Sequence, residues 1–245
     1  MGRTGALIAV AALGLLSGCG PFASAPAHTT VAPRPAVSHT AAPVPITYPA
    51  AGHRKYRIAA GSKQAGARGP LLRYRVLVET DIKGVRATTF ADAVTKTLND
   101  PRGWKRKLRR SGPGEPYDFT IYLATPRTRD RLCGSSADGY TSCRNGDKVV
   151  LNVARWVKGV PGYGASLATY RQYMVNHEVG HRFGHGHERC PGKGEPAPVM
   201  QQQTLGLHGC VANPWPYLHG ERYAGVSGAY DDAVPAPDRG RTRKD

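Results

Sequence analysis

The chain has 245 residues, with 34 Lys or Arg against 17 Asp or Glu, and its formal net charge is therefore +17. Its 40% hydrophobic content, 20 Pro and 30 Gly suit one core of ordinary size and argue against two full domains. The charge favours a polyanionic partner such as nucleic acid, anionic lipid or an acidic wall polymer. Five cysteines are an odd number, so one of them needs a separate explanation.

The first 19 residues have the pattern of an export signal that ends in a cysteine. Arg3 gives a basic start, and the apolar run Ala6–Leu16 has the length of a signal-peptide core but is too short to span a bilayer. The sequence Leu16-Ser17-Gly18-Cys19 resembles a bacterial lipobox, whose cysteine is lipidated and becomes the mature N-terminus. We predict a signal peptide over 1–18 and an exported chain, anchored by lipid at Cys19 to the extracytoplasmic face of the membrane. An ordinary secretory signal is the alternative.

Composition divides the rest of the chain into a spacer, one domain and a tail. Residues 19–53 are rich in Ala, Pro and Thr and contain no acidic residue, which predicts a disordered spacer. Residues 54–218 form the predicted domain. Residues 219–245 contain Gly, Pro and Asp with little hydrophobic content, which predicts a disordered tail.

Strand and helix patterns are mixed within the predicted domain. Apolar alternation predicts a strand at Leu71–Glu79, with one buried face made of Leu72, Tyr74, Val76 and Val78. A helix is predicted at Thr89–Leu98, and further strands at Phe119–Ala124 and Val149–Ala154. Ser166–Phe183 is the longest helical candidate. The mixture favours an α+β or α/β class over an all-helical or all-β one.

The longest predicted helix ends in a cluster of histidines. His177 and His181 are four residues apart and therefore lie on one helical face, where both imidazoles can bind a single ion. Glu178 is adjacent to the first ligand and can reach a metal-bound water as general base. We predict His187 as the third ligand, which requires the chain to turn at Gly184. His185, four residues after His181, is a rival third ligand.

The pattern His177, Glu178, His181, Gly184 and His187 resembles the HExxHxxGxxH consensus of the metzincin metalloproteases. These enzymes have a Met-turn beneath the metal, and Pro198-Val199-Met200-Gln201 resembles it, with Met200 as its methionine. The chain also resembles a group of secreted actinobacterial zincin-like lipoproteins without an assigned activity. That likeness covers roughly 54–218 and includes the following CPG…PVMQQQT…GC stretch.

The resemblance implies an α+β fold with a mixed twisted sheet and an active-site helix, followed by a small irregular C-terminal subdomain that carries the Met-turn. It implies one catalytic zinc ion and hydrolysis of peptide bonds by a zinc-activated water with Glu178 as general base. Some metzincins have a tyrosine two residues after the methionine, and here that position is Gln202. Tyr217 or His208 could replace it as a donor to the transition state, although nothing in the sequence selects either.

The function we predict is therefore a membrane-anchored zinc endopeptidase that acts as a monomer on peptides or proteins. Two alternatives stay open: a zinc hydrolase specific for cell-wall peptides, and a catalytically silent zinc-containing module that binds the envelope. The family architecture further suggests that substrate adds as a strand to a sheet edge near Val149–Ala154.

Four cysteines remain once Cys19 is assigned to the lipid. Export favours their oxidation, and three pairings are possible. Closure of the shortest loops favours Cys133 with Cys143 and Cys190 with Cys210. The second bond would enclose Met200 and hold its loop against the end of the zinc helix.

Residues 102–110 contain six basic side chains and no acidic one. They are Arg102, Lys105, Arg106, Lys107, Arg109 and Arg110. Export removes most of the opportunity for binding nucleic acid, so we predict no nucleic-acid partner. A solvated basic surface is the simplest explanation of the run, and anionic lipid or wall polymer is the functional alternative.

Overall fold

The computed structural model describes residues 44–63 and 69–242. The described residues all belong to one compact unit, and they extend beyond both ends of the domain predicted over 54–218. The predicted signal peptide, the predicted lipidation site Cys19 and most of the predicted spacer lie outside the described residues.

The described part of the chain contains ten strands and four α-helices. The strands are β1 (Tyr48–Pro49), β2 (Tyr56–Ile58), β3 (Leu71–Glu79), β4 (Lys107–Arg110), β5 (Phe119–Ala124), β6 (Cys143–Asn145), β7 (Lys148–Asn152), β8 (Tyr217–Leu218), β9 (Glu221–Arg222) and β10 (Gly240–Arg241). The helices are α1 (Ala87–Leu98), α2 (Pro126–Cys133), α3 (Val153–Lys158) and α4 (Leu167–Arg182). The predicted α+β class is confirmed.

Six strands form a twisted, mixed main sheet. Its centre is parallel, with β5 between β3 and β7. At one edge, β4 runs parallel to the first half of β3 and β2 runs antiparallel to its second half. At the opposite edge, β6 runs antiparallel to β7. The prediction that the strand near Val149–Ala154 forms an edge of the sheet is therefore wrong, because β7 lies between β5 and β6.

The predicted strands at Leu71–Glu79 and Phe119–Ala124 have the observed bounds. The longest helix begins one residue later than predicted, since Ser166 is its N-cap and its Oγ accepts a hydrogen bond from the Thr169 N–H at 3.1 Å. The last predicted strand ends early, at Asn152. Its side chain accepts a hydrogen bond from the Ala154 N–H and starts α3 there.

The two faces of the sheet have different partners. On the inner face, Val76, Ile121 and Leu151 are fully buried in one core with side chains from α1 and α4. Each such side chain contributes about 1.5–3 kcal/mol on burial. On the outer face, a smaller cluster around Tyr122 and Val150 includes Cys133 at the end of α2. This arrangement leaves α4 against the sheet, with its last turns beside the β6 edge.

Both disulfides have the predicted pairing, which closes the shortest loops. Cys133 bonds to Cys143 and joins α2 to the edge strand β6. Cys190 bonds to Cys210 and encloses the loop that contains Met200.

Residues 219–242 differ from the predicted disordered tail. They contain β9 and β10, and β10 pairs with β1. Arg222 donates a hydrogen bond to Glu188 at 2.6 Å, and Lys158 to Asp238 at 2.8 Å. Composition misses this order because polar pairs and backbone bonds, rather than a run of apolar residues, attach the segment.

The basic run at 102–110 is not a single exposed surface. Arg110 is buried, where its guanidinium bonds to Asp92 at 2.8 Å. Trp104 and Leu108 within the run belong to the core. Four of the six basic residues, namely Arg102, Lys105, Arg106 and Lys107, are exposed. Of these, Arg102 is paired with Asp100.

Among the helices of the described residues, none combines the length and apolar character that crossing a membrane requires.

Candidate metal centre

Three histidine side chains meet at the end of α4. His177 and His181 lie one turn apart, and their Nε2 atoms are 3.1 Å apart. The helix ends at Arg182, and Gly184 follows with a φ of +89°, a left-handed conformation in which Gly has no steric penalty. The turn returns His187 to the other two, so that the candidate ligand nitrogens all lie within 4.8 Å of one another.

His185, the rival third ligand, lies outside this group. Its ring stacks on Trp104, with the ring centroids 4.4 Å apart. Its backbone carbonyl accepts a hydrogen bond from Nδ1 of His181 at 2.8 Å. His185 therefore contributes to the site through its main chain, by orienting a neighbouring ring.

A second carbonyl orients His177. Nδ1 of this ring donates to the Val199 carbonyl at 2.9 Å. A carbonyl can only accept, so Nδ1 carries the proton in His177 and His181 and the lone pair is on Nε2. Such bonds to the far ring nitrogen fix the tautomer and the ring orientation of metal-binding histidines.

The electrostatic surroundings keep the three rings neutral. Burial lowers the pKa of His177 well below its ordinary value, and the neighbouring His181 and His187 lower it further. Burial likewise lowers the pKa of His181, and it lowers the pKa of His187 to about 4. Neutral imidazoles have free lone pairs, which are what a metal ion requires.

The donor set fits a zinc ion. Two Nε2 lone pairs 3.1 Å apart repel each other unless a proton or cation lies between them. Tetrahedral Zn–N bonds of about 2.0–2.1 Å separate two ligand nitrogens by about 3.3 Å, close to the observed distance. Three imidazoles are also a ligand set of catalytic zinc sites, in which the fourth position is open.

Glu178 lies beside the three rings. Its side chain is buried, and its Oε2 has no hydrogen-bond partner among the described residues. Burial raises the pKa of this carboxyl group to about 8, against the opposing effect of the Arg129 guanidinium. A carboxylate without a partner in a buried position is a strong proton acceptor.

The histidines and Glu178 share one cavity of about 500 Å³. One wall consists of the loop after α2 and strand β6, and it includes Ser135–Asp138 and Arg144. A second wall consists of Gln202, Thr204 and Leu205. The cavity volume is in the range of sites that bury a small ligand.

Met200 lies in a tight turn, as the sequence suggests. The Gln201 N–H donates to the Pro198 carbonyl at 2.9 Å, and the Met200 side chain is fully buried. A Cβ at Gly180 would lie 2.4 Å from the Met200 sulfur and 2.5 Å from Trp104. Gly180 is therefore required for α4 to approach this turn, a role that sequence reasoning missed.

The two donors considered in place of a metzincin tyrosine lie elsewhere. Tyr217 is in β8, where its ring contacts the Lys105 ammonium, and His208 bonds to Asp232. Neither lines the cavity, whereas Gln202 does.

Comparison with curated proteins gives no match, and comparison with solved structures gives none either. A family model described as "Protein of unknown function (DUF3152)" matches residues 43–218, well over half of the chain. The matched range includes the three histidines, Glu178 and Met200. The chain therefore belongs to the DUF3152 family.

Proposed function

We propose that this protein is a zinc-dependent endopeptidase of the metzincin type. The observation that carries the proposal is that Glu178, a buried residue whose Oε2 has no partner, lines the same cavity as three neutral histidines. A buried carboxylate without a partner costs stability, and such costs are concentrated at functional sites. The turn at Met200 and the pattern of the histidines support the metzincin assignment.

His177, His181 and His187 would hold the zinc ion through Nε2 of the first two rings and a ring nitrogen of the third. When bound, zinc supplies an acidified water and polarises the carbonyl group of the substrate. The carbonyls of Val199 and His185 hold two of the rings in orientation. These contacts fix the ligand positions before substrate enters.

Glu178 would move the proton. Its carboxylate takes a proton as water attacks the peptide carbonyl, and the same carboxyl group returns that proton to the leaving amine. Burial raises the pKa of this carboxyl, which strengthens the carboxylate as a proton acceptor. No covalent bond between enzyme and substrate is needed.

The edge strand β6 replaces β7 as the proposed substrate contact. β6 borders the cavity through Cys143 and Arg144, and it pairs with β7 on one side only. An extended peptide can add to such an edge through main-chain hydrogen bonds. The guanidinium of Arg144 would then lie beside the bound peptide.

We further propose export and lipid anchoring through Cys19. The signal pattern of residues 1–19 supports this, and the two disulfides are typical of an oxidising compartment. The exposed basic residues Lys105, Arg106 and Lys107 would add attraction to anionic lipid or wall polymer. Labelled palmitate should be incorporated into the wild type and not into Cys19→Ala; equal labelling would contradict the anchor.

The decisive experiment compares wild type with Glu178→Gln, using zinc-loaded protein and a mixed peptide library with and without chelator. Wild type should cleave peptides in a chelator-sensitive manner. Glu178→Gln should keep stoichiometric zinc, measured by elemental analysis, and lose activity by about 10²–10⁴-fold. Glu195→Gln, the same change at an exposed carboxylate outside the cavity, is the control and should stay active.

The remaining outcomes separate the other functions. Cleavage confined to wall peptides supports a wall hydrolase, and zinc binding without any cleavage supports a silent binding module. Full activity of Glu178→Gln would contradict the proposed role of this residue.

A further inference from the structure

The C-terminal segment connects the two walls of the cavity. We call residues 230–238 the strap. It begins just after a stretch that is attached to the third histidine: the Gly228 N–H donates to the His187 carbonyl at 2.9 Å, and the Arg189 N–H donates to the Val226 carbonyl at 2.8 Å. The strap therefore starts two residues after a stretch that is bonded to the backbone of His187.

The first anchor of the strap is His208, which follows the wall formed by Gln202, Thr204 and Leu205. The rings of Tyr230 and His208 are stacked, with their centroids 3.5 Å apart. Asp232 Oδ2 lies 2.8 Å from Nε2 of the same histidine. His208 has a φ of +49°, a conformation that side chains other than Gly rarely adopt, so its loop is held in a specific shape.

The second anchor lies at the other wall, beside Asp138. Pro237 packs on Gly139 so closely that a Cβ there would be 2.6 Å from the proline Cβ. The Asp238 N–H donates to the Gly139 carbonyl at 3.3 Å, and its side chain pairs with Lys158 at 2.8 Å. β10 begins two residues after the strap and pairs with β1, which fixes the end of the strap.

Four residues, 233–236, connect the two anchors. Val234 is 45% exposed and also lines the cavity, so this stretch borders the opening that leads to the histidines. Pro235 and Pro237 restrict φ and favour an extended chain. A short, extended and doubly anchored segment cannot move aside without breaking one of its anchors.

We propose that the strap is the specificity-determining element of this site, and that it restricts the cleft to short peptides by blocking folded proteins and long chains that must cross it. This inference rests on the proposed function, because it assigns a substrate class to the same cleft. The cavity of about 500 Å³, bounded by both walls and the strap, admits a short peptide segment and no folded surface.

The test releases the first anchor in the full-length protein. Tyr230→Ala/Asp232→Ala removes the ring stack and the bond to His208. Asp231→Ala is the matched control, since this neighbouring carboxylate is exposed and has no partner among the described residues. Loss of these contacts should raise the population of the released strap about five- to tenfold.

Two measurements monitor the release of the strap. The rate at which a bulky polyaminocarboxylate chelator removes zinc should rise about five- to tenfold in the double variant and stay at the wild-type value in Asp231→Ala. Cleavage of a long unfolded chain should rise relative to that of a short quenched peptide. Equal chelation rates and an unchanged ratio would overturn the strap proposal.

A failure of the proposed function would look different. If wild type binds zinc and cleaves nothing, the chelation rates still test the strap. If wild type binds no zinc, the proposed function fails, and carbethoxylation of His177 in the metal-free protein tests the strap instead. That reaction should be about five- to tenfold faster in the double variant, and equal rates would overturn the strap.

Discussion

The sheet and the chain after Arg182 are stabilised by different interactions. Strands β3, β5 and β7 are held by alternating apolar side chains that are fully buried between the sheet and its helices. The chain after Arg182 has few regular elements and is held by side chains that bond to backbone. Asn213, for example, donates to the carbonyls of Ala197 and Trp215.

The candidate metal centre lies at the junction of these two regions. The sheet-packed helix supplies His177 and His181, whereas the irregular region supplies His187 and the Val199 carbonyl. The first region gives the ligands a rigid base, and the second determines their orientation. Substitutions in the two regions should therefore have separable effects on stability and on zinc affinity.

The largest effect is expected at the centre itself. His181→Ala removes one ligand and should weaken zinc binding by more than about a hundredfold, beyond what loss of an orienting contact costs. His185→Ala is the matched control, because it keeps the carbonyl that orients His181. Equilibrium dialysis with elemental analysis measures both variants. Zinc loss in His185→Ala together with retention in His187→Ala would reverse the assignment of the third ligand.

A truncation in the sheet should lower the free energy of unfolding and leave zinc affinity nearly unchanged. Ile121 is fully buried in β5, so Ile121→Ala should lower the free energy of unfolding by about 2–5 kcal/mol through lost burial and a cavity. Ile121→Val should cost about 0.5–1.5 kcal/mol. Denaturant unfolding gives these values. Zinc affinity should change little, and a large loss would show that the two regions are not separable.

A truncation in the irregular region should weaken zinc binding as well as lower the free energy of unfolding. Asn213→Ala leaves buried backbone groups without partners and should cost about 1–3 kcal/mol of stability. It should also weaken zinc binding by about tenfold, since it loosens the loop whose Val199 carbonyl orients His177. Asn145→Ala, at an exposed amide, is the control for calorimetric titration with zinc. Unchanged affinity in Asn213→Ala would contradict the division of roles.

The smallest effect concerns pH in the metal-free protein. Burial lowers the pKa of His187 to about 4, so the folded state binds fewer protons than the unfolded state between pH 6.5 and about 4. The stability present above pH 6.5 is lost as the pH falls through this range. Wild type should lose about 1–2 kcal/mol relative to His187→Gln, after allowance for partial exposure. If the free energies of unfolding of wild type and His187→Gln changed with pH in parallel, this expectation would be contradicted.

Local patterns in the sequence predict the regular elements and the ligand cluster. Apolar alternation predicts the bounds of β3, and the spacing of His177 and His181 places both on one helical face. Gly184 predicts the turn that returns the chain, because few other residues adopt its conformation. These features depend on neighbours within about one or two helical turns, which a sequence displays directly.

Contacts between distant residues leave no such pattern. The bond between His177 and the Val199 carbonyl spans 22 residues and involves a main-chain atom, which has no identity in the sequence. The strap cannot be predicted from the sequence either, because its anchors join residues far apart in the chain, His208 with Asp232 and Lys158 with Asp238. The position of β6 as the edge also depends on the pairing of the whole sheet.

The stacking of His185 on Trp104 connects the ligand shell to the interior. The indole N–H of Trp104 donates to the Asn176 carbonyl at 2.7 Å, and the same ring contacts Gly180 on the next turn of α4. A helix copied from this protein into another scaffold would keep the motif and lose these supports. Transplanting the motif as a working module would therefore require the tryptophan, the Met200 turn and the loop after Gly184 as one unit.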